Sequence, residues 1–179
     1  MRAALAILAA CLAIPALAAI TAPRHRARPA QAPPRTDQPK PLGTFEDWVA
    51  ATHLESGQTV CYAFTRAQTS IPKLAGRADV ILTVTERPDG RDAVAISAGY
   101  PYPPNAEAKL RVDQAEFDFY TAQRSAFARD GHATVAAFRK GREAVARGPG
   151  PRGSPVTDSF SLRGFQPAYA AVNKACPSR

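Results

Sequence analysis

A chain of 179 residues with 45% hydrophobic side chains is long enough for one domain with a proper core, and its formal charge of +8 raises the question of a nucleic-acid partner. The charge is unevenly placed: Arg2 accounts for one and residues 19–41 for four (Arg24, Arg26, Arg28, Arg35 and Lys40 against Asp37), leaving +3 on residues 42–179. That balance gives little support to a nucleic-acid groove reader and leaves a basic tail drawn to anionic surfaces, with nucleic-acid binding through the tail as a weaker alternative.

Arg2, the apolar run Ala3 to Ile14 and the small-residue site Ala16-Leu17-Ala18 form a secretory signal peptide over residues 1–18, cleaved between Ala18 and Ala19. The run is broken by Pro15 and falls short of the ~20 residues a membrane span requires. Leu8-Ala9-Ala10-Cys11 has the look of a lipobox, but lipidation at Cys11 would leave a hydrophobic core of only about eight residues, at the bottom of the usual range. The expectation is an exported protein, in the periplasm or at the cell surface, with no transmembrane span. Residues 19–41 hold six prolines among arginines, alanines and glutamines, and read as a disordered or polyproline-like linker. It serves as a spacer, with an electrostatic tether as the alternative.

From Thr44 onward short alternating runs between turn residues predict strands. Phe45 to His53 is the first and carries the single tryptophan, Trp48; Glu55-Ser56-Gly57-Gln58 turns the chain, and Thr59 to Arg66 returns. In that return Val60, Tyr62 and Phe64 point one way and Cys61, Ala63 and Thr65 the other. Asp79 to Glu86 aligns Val80, Leu82 and Val84 on one face; Pro88-Asp89-Gly90 reverses the chain into Ala93 to Ala98. Leu110 with Val112, Phe117 with Phe119, and Val156 to Leu162 mark further strands. The pattern predicts a mainly β domain over residues 42–179, an antiparallel β-sandwich or barrel with a short internal helix and a C-terminal helix. The internal helix runs from an Asp130 cap through Lys140, burying Val135 and Phe138, with Gly141 ending it in the left-handed conformation. The C-terminal helix has Pro167 in its first turn, keeps Tyr169, Val172 and Cys176 on one face, and stops at Pro177.

With the signal removed, Cys61 and Cys176 remain, and an even count in an oxidising compartment suggests a bridge. Cys61 shares a strand face with small Ala63, where a helix can approach, and Cys176 lies on the buried helix face; two unpaired buried thiols are the alternative. His25, His53 and His132 are scattered, with no metal-ligand spacing, no Gly-x-Ser-x-Gly elbow and no phosphate-cradling glycine loop beside them. No catalytic residue, metal ligand or cofactor is therefore assigned. His53 near Glu55 and His132 beside Asp130 keep an unrecognised periplasmic hydrolase as the rival reading. Two segments are candidate partner contacts. Tyr100-Pro101-Tyr102-Pro103-Pro104 offers Tyr100 and Tyr102 on an extended segment, its alternative being a stiff connection with the tyrosines packed down. Arg139, Lys140 and Arg142, with Arg147 and Arg152, form a basic rim for an anionic lipid or glycan, unless they are simply a solvated face. Gly148 to Gly153 reads as a rigid surface loop.

The exported context, the Gly43-to-Trp48 opening, and the ending Asp158-Ser-Phe-Ser-Leu162-Arg-Gly164-Phe165, Ala168-Tyr169, Ala175-Cys176-Pro177 resemble the invasion-associated locus B family over residues 42–177. The resemblance implies a periplasmic or surface-exposed β-sandwich of Gram-negative bacteria, linked in some pathogens to host-cell entry, with no established enzyme activity and no catalytic residues to carry over. Ala50-Ala51 stands after Trp48-Val49 where many members have a cysteine, which leaves Cys61 without a local partner and pairs it with Cys176. The expected function is a non-enzymatic envelope protein that binds a protein or an anionic envelope component, with no specific nucleic acid.

Overall fold

The computed structural model describes residues 38–178; the signal peptide, the Ala18–Ala19 cleavage point and residues 19–37 of the linker lie outside the described residues. Among those described, eleven strands and two helices follow one another as β1 (Lys40–Phe45), β2 (Trp48–Glu55), β3 (Gln58–Arg66), β4 (Thr69–Ile71), β5 (Ile81–Arg87), β6 (Gly90–Ser97), β7 (Glu107–Val112), β8 (Ala115–Ala122), β9 (Ser125–Ala128), α1 (Gly131–Phe138), β10 (Glu143–Pro149), β11 (Pro155–Ser161) and α2 (Phe165–Ala175). The strands form one antiparallel sheet in the order β1-β2-β3-β5-β6-β9-β8-β7-β10-β11-β4.

Only Ala67 and Gln68 separate β3 from β4, yet β4 is the far edge of the sheet. The sheet must therefore curl until its two ends meet around a common interior, without closing into a continuous barrel. Trp48 seals that approach, its Nε1 donating to the Ser161 carbonyl at 2.9 Å from β2 to β11. Strand alternation supplies the interior: Trp48, Leu82, Leu110, Phe119 and Phe160, all with no exposed surface, come from five strands and meet inside. Helix α2 lies over β1, β2 and β3 and adds Phe165, Ala168 and Val172, also without exposed surface. The Phe165 ring meets Trp48 edge-on at 4.8 Å and Phe138 of α1 at 5.3 Å, so both helices lock onto the same aromatic centre.

Local chemistry fixes the connections. The β2–β3 turn has Ser56 and Gly57 both left-handed (φ 51° and 80°), the two-residue geometry whose twist matches the flanking strands. Asp130 caps α1 by accepting from Ala133 N–H at 2.9 Å. Gly164, at φ 85°, opens α2 so close to β1 that a Cβ there would stand 1.9 Å from the Phe45 carbonyl oxygen.

Several expectations need correction. The single strand foreseen over Phe45 to His53 is a hairpin: Phe45 pairs with Trp48, and Glu46 turns the chain with φ 50°, without the Gly or Asn that signals such a turn. β4, β9 and β10 were not foreseen. β10 escapes a pattern reading because its inward residues are only Ala144 and Ala146, small side chains that pack beneath β7. Gly148 and Pro149 belong to this strand rather than to a loop. Helix α1 ends at Phe138, short of Lys140, and Gly141 is not left-handed. Gly141 is needed for space instead, since a Cβ would lie 2.5 Å from Val112 Cγ1.

Candidate functional site

The alternation that sends Cys61, Ala63 and Thr65 inward turns Tyr62 and Phe64 to the outer face of the sheet, both half-buried. The register then runs straight across it: Phe64 opposite Thr83, Thr83 opposite Ala95, Ala95 opposite Phe127, and Phe127 opposite Tyr120. Two aromatic pairs face the solvent on either side of small residues. Tyr62 and Phe64 stack with centroids 6.0 Å apart and planes at 29°; Tyr120 and Phe127 stack at 5.5 Å and 27°. Each pair carries an arginine, Arg66 over Phe64 at 5.8 Å and Arg129 over Tyr120 at 5.7 Å. Between them Thr83, Thr85, Ala93 and Ala95 form the floor. A shallow depression of about 550 Å³ covers the β3 side, from Pro39 and His53 across Tyr62 and Phe64 to Thr83 and Thr85. The arginines at its borders, Arg66 and Arg87, are already neutralised by Asp79 at 3.2 Å and Glu55 at 2.9 Å, and Arg129 beside the second stack is neutralised by Glu107 at 2.7 Å. The Arg87 guanidinium also holds the Glu55 carboxyl below its ordinary range.

A second constellation lies beneath α2. Glu86, the last inward residue of β5 and fully buried, forms an ion pair with Arg91, whose Nε lies 2.6 Å away, and accepts from the Asp92 N–H at 3.3 Å. Burial pushes its carboxyl up to about 7, with the Asp92 carboxylate adding to the effect and Arg91 opposing it. Asp92 accepts from the Tyr169 hydroxyl at 2.5 Å and meets His132 Nδ1 at 2.8 Å. Burial alone would raise its carboxyl, but the Tyr169 and His132 hydrogen bonds prevail and hold it low. Tyr169 is pushed up to about 12 by burial and by its bond to Asp92. Arg91 continues to α2, donating to the Asn173 side chain and to the Cys176 carbonyl at 2.6 Å. The constellation ties α2 to β5 and β6. Among the described residues no buried side-chain nitrogen or oxygen lacks a partner, and no group of three His, Cys, Asp or Glu is placed to hold a metal.

Cys61 and Cys176 are joined, with Cα atoms 6.0 Å apart, between β3 and the end of α2. In the Tyr100-to-Pro104 segment Tyr100 is packed down and Tyr102 is half-buried. Tyr100 is buried, with Arg77 4.8 Å over its ring and Tyr102 edge-on at 5.4 Å, in a small core with Ala98 and Val156. Burial raises both hydroxyls above their ordinary value. Arg139, Lys140 and Arg142 are exposed beyond α1 and enter no ion pair among the described residues, while the Arg139 carbonyl accepts from Gln166 at 2.9 Å. His53 sits edge-on to Tyr62 at 5.4 Å, on the outer face. His132 is exposed and oriented by Asp92, not by its sequence neighbour Asp130, which is occupied as a helix cap. The outer aromatic face was missed because its second pair comes from β8 and β9, far away in sequence. Glu86 was legible, since it shares parity with Val80, Leu82 and Val84.

The sequence model for the Invasion associated locus B (IalB) protein family matches residues 48–173, more than half of the chain. No curated protein matches significantly. Among solved structures, the crystal structure of invasion associated protein B from Bartonella henselae is similar, with a TM-score of 0.56 at 18% identity, covering 74% of this chain and 95% of that one. At that identity the likeness speaks for the fold alone. The family match and the shared fold agree with the curled sheet and its terminal helix, and the chain belongs to the invasion-associated locus B family.

Proposed function

We propose that the protein is an exported, non-enzymatic binding protein of the bacterial envelope or cell surface, and that it engages its partner through the outer face of β3, β5, β6, β9 and β8. The observation that carries this reading is the pair of solvent-facing aromatic stacks, Tyr62–Phe64 and Tyr120–Phe127, held in one register across that face. Large rings are the usual anchors of binding surfaces, and a fold gains more by burying them than by displaying them. Export is supported by the signal-like first 18 residues and by a disulfide suited to an oxidising compartment. Arg139, Lys140 and Arg142 supply a second contact, for an anionic envelope component.

The hydrolase reading keeps one observation in its favour. Asp92 orients His132 through Nδ1 and leaves Nε2 to solvent, as a general base requires. The ring has no hydroxyl or thiol hydrogen-bonded to it among the described residues, so the pair lacks the nucleophile of an acyl-transfer site. Incubating the exported protein and its Tyr62→Ser/Phe64→Ser variant with envelope fractions tests the proposal. Capture of a component by the native protein and its loss in the folded variant is the expected result; capture unchanged by the variant, or a hydrolytic turnover abolished by His132→Ala, would overturn it.

A further inference from the structure

The outer face can be assigned a ligand class, an inference that rests on the binding reading above. We infer that the trough between Phe64 and Phe127 is a binding surface for an uncharged oligosaccharide chain. Three strand spacings, ~14 Å, separate the two rings, and they stand in one register line through Thr83 and Ala95. The rings thus stand on opposite sides of the outward rows of β5 and β6, with the shallow depression on the Phe64 side of them. The floor between them carries Ile81, Thr83, Thr85, Ala93, Ala95 and Ser97, of which only Ile81, at one end, is large.

Three properties favour a saccharide. A sugar ring offers a flat face of C–H groups that stacks on aromatic carbon, and both walls present that carbon half-exposed, with Tyr120 at 44%. A sugar also bears hydroxyls that donate and accept at once. The walls meet this need with ion pairs, Arg66–Asp79 and Arg129–Glu107, which set a donor and an acceptor beside each stack, and the floor adds threonine and serine hydroxyls. Finally, the same ion pairs, together with Arg87–Glu55, cancel the charge along the trough, so the surface complements a neutral chain and gives an anionic one no excess of cations. A protein partner would call for a pocket to bury an anchor side chain, and the small-residue floor is shallow.

The test uses the exported protein with cellotetraose and tetra-N-acetylchitotetraose as uncharged probes and a sulfated tetrasaccharide as the anionic one, followed by amide chemical-shift mapping and calorimetry. At least one uncharged probe should shift Thr83, Ala95 and Phe127 amides, with an affinity unaffected by salt. Phe64→Ser/Phe127→Ser should weaken it about tenfold or more, while Phe64→Tyr/Phe127→Tyr, which keeps the stacking faces, should retain it. A cooperative thermal transition retained in the serine variant separates loss of the site from loss of the fold. No shift on this face with either uncharged probe, stronger shifts on this same face with the sulfated probe and steep salt dependence, or a concentration-dependent dimer that buries these residues would each overturn the inference. If envelope capture still depends on Tyr62 and Phe64 when the uncharged probes fail, the binding reading stands and only the ligand class falls; if the native protein captures nothing, both fall.

Discussion

Cys61 and Glu86 stand directly opposite each other across β3 and β5, both on the inward face and both without exposed surface. Each is tied to the end of α2, Cys61 by its bond to Cys176 and Glu86 through Arg91, which reaches Asn173 and the Cys176 carbonyl. The terminal helix is therefore fastened at one place by a covalent link and by a buried polar one, while its Phe165 end is held by packing against Trp48.

The covalent link closes a sequence separation of 115 residues. Loop-closure entropy assigns a bridge of that span about 4–5 kcal/mol, a large part of the stability of a domain this size. Reductant should lower the thermal midpoint markedly, and Cys61→Ser, Cys176→Ser and the double substitution should lower it to the same value. A double mutant less stable than either single one would mean that the two sulfurs act independently.

Glu86 makes stability depend on pH in a specific direction. Its carboxyl sits near 7 in the folded protein, above its ordinary value, so the stabilisation it allows is complete below the unfolded pKa and is lost as pH rises through about 7. Asp92, held low, acts oppositely: its contribution is present above its unfolded pKa and is lost as pH falls below that. Urea midpoints at pH 5 and pH 8 should show Glu86→Gln gaining on the native protein as pH rises, by on the order of 2 kcal/mol. An unchanged difference between the two pH values would mean that Glu86 keeps one protonation state throughout.

Arg77 and Asp158 form a buried, two-pronged ion pair, with Nη1 and Nη2 each 2.8 Å from a carboxylate oxygen and side chains 6% and 7% exposed. Ser70 donates to the same carboxylate at 2.6 Å, and Arg77 Nε donates to the Ala98 carbonyl at 2.7 Å. Arg77→Ala leaves Asp158 charged, buried and under-bonded, and should cost ~3–5 kcal/mol in chemical denaturation. Arg77→Lys should recover little of it, because an ammonium cannot reproduce the fork.

Tyr100 is a stability residue. Its ring lies beneath Arg77, so Tyr100→Ala should lower the unfolding free energy by ~3–5 kcal/mol in chemical denaturation while leaving envelope capture by the folded fraction unchanged. Loss of capture with native stability would restore it to the binding surface.

Much of the fold was legible because it depends on local rules. Alternation leading into β5 names Val80, Leu82 and Val84 as core, Ser56-Gly57 marks a hairpin, Asp130 marks a helix start, and Pro167 with Tyr169 and Val172 at helical spacing marks the C-terminal helix. The sequence by itself also determined the two faces of β3, hence which side Cys61 would offer to a helix. Other features depend on partners remote in the chain. Ala144 and Ala146 make a strand only because β7 and β11 flank them, and Tyr100 is buried only because Arg77 and Val156 come over it. The aromatic trough is the clearest case: Phe64 and Phe127 become facing walls through β5 and β6, whose small outward residues are unremarkable alone. Period-two patterning tells a side chain which face it takes, whereas the order of strands in the sheet, fixed by long-range pairing and packing, decides which side chains share that face.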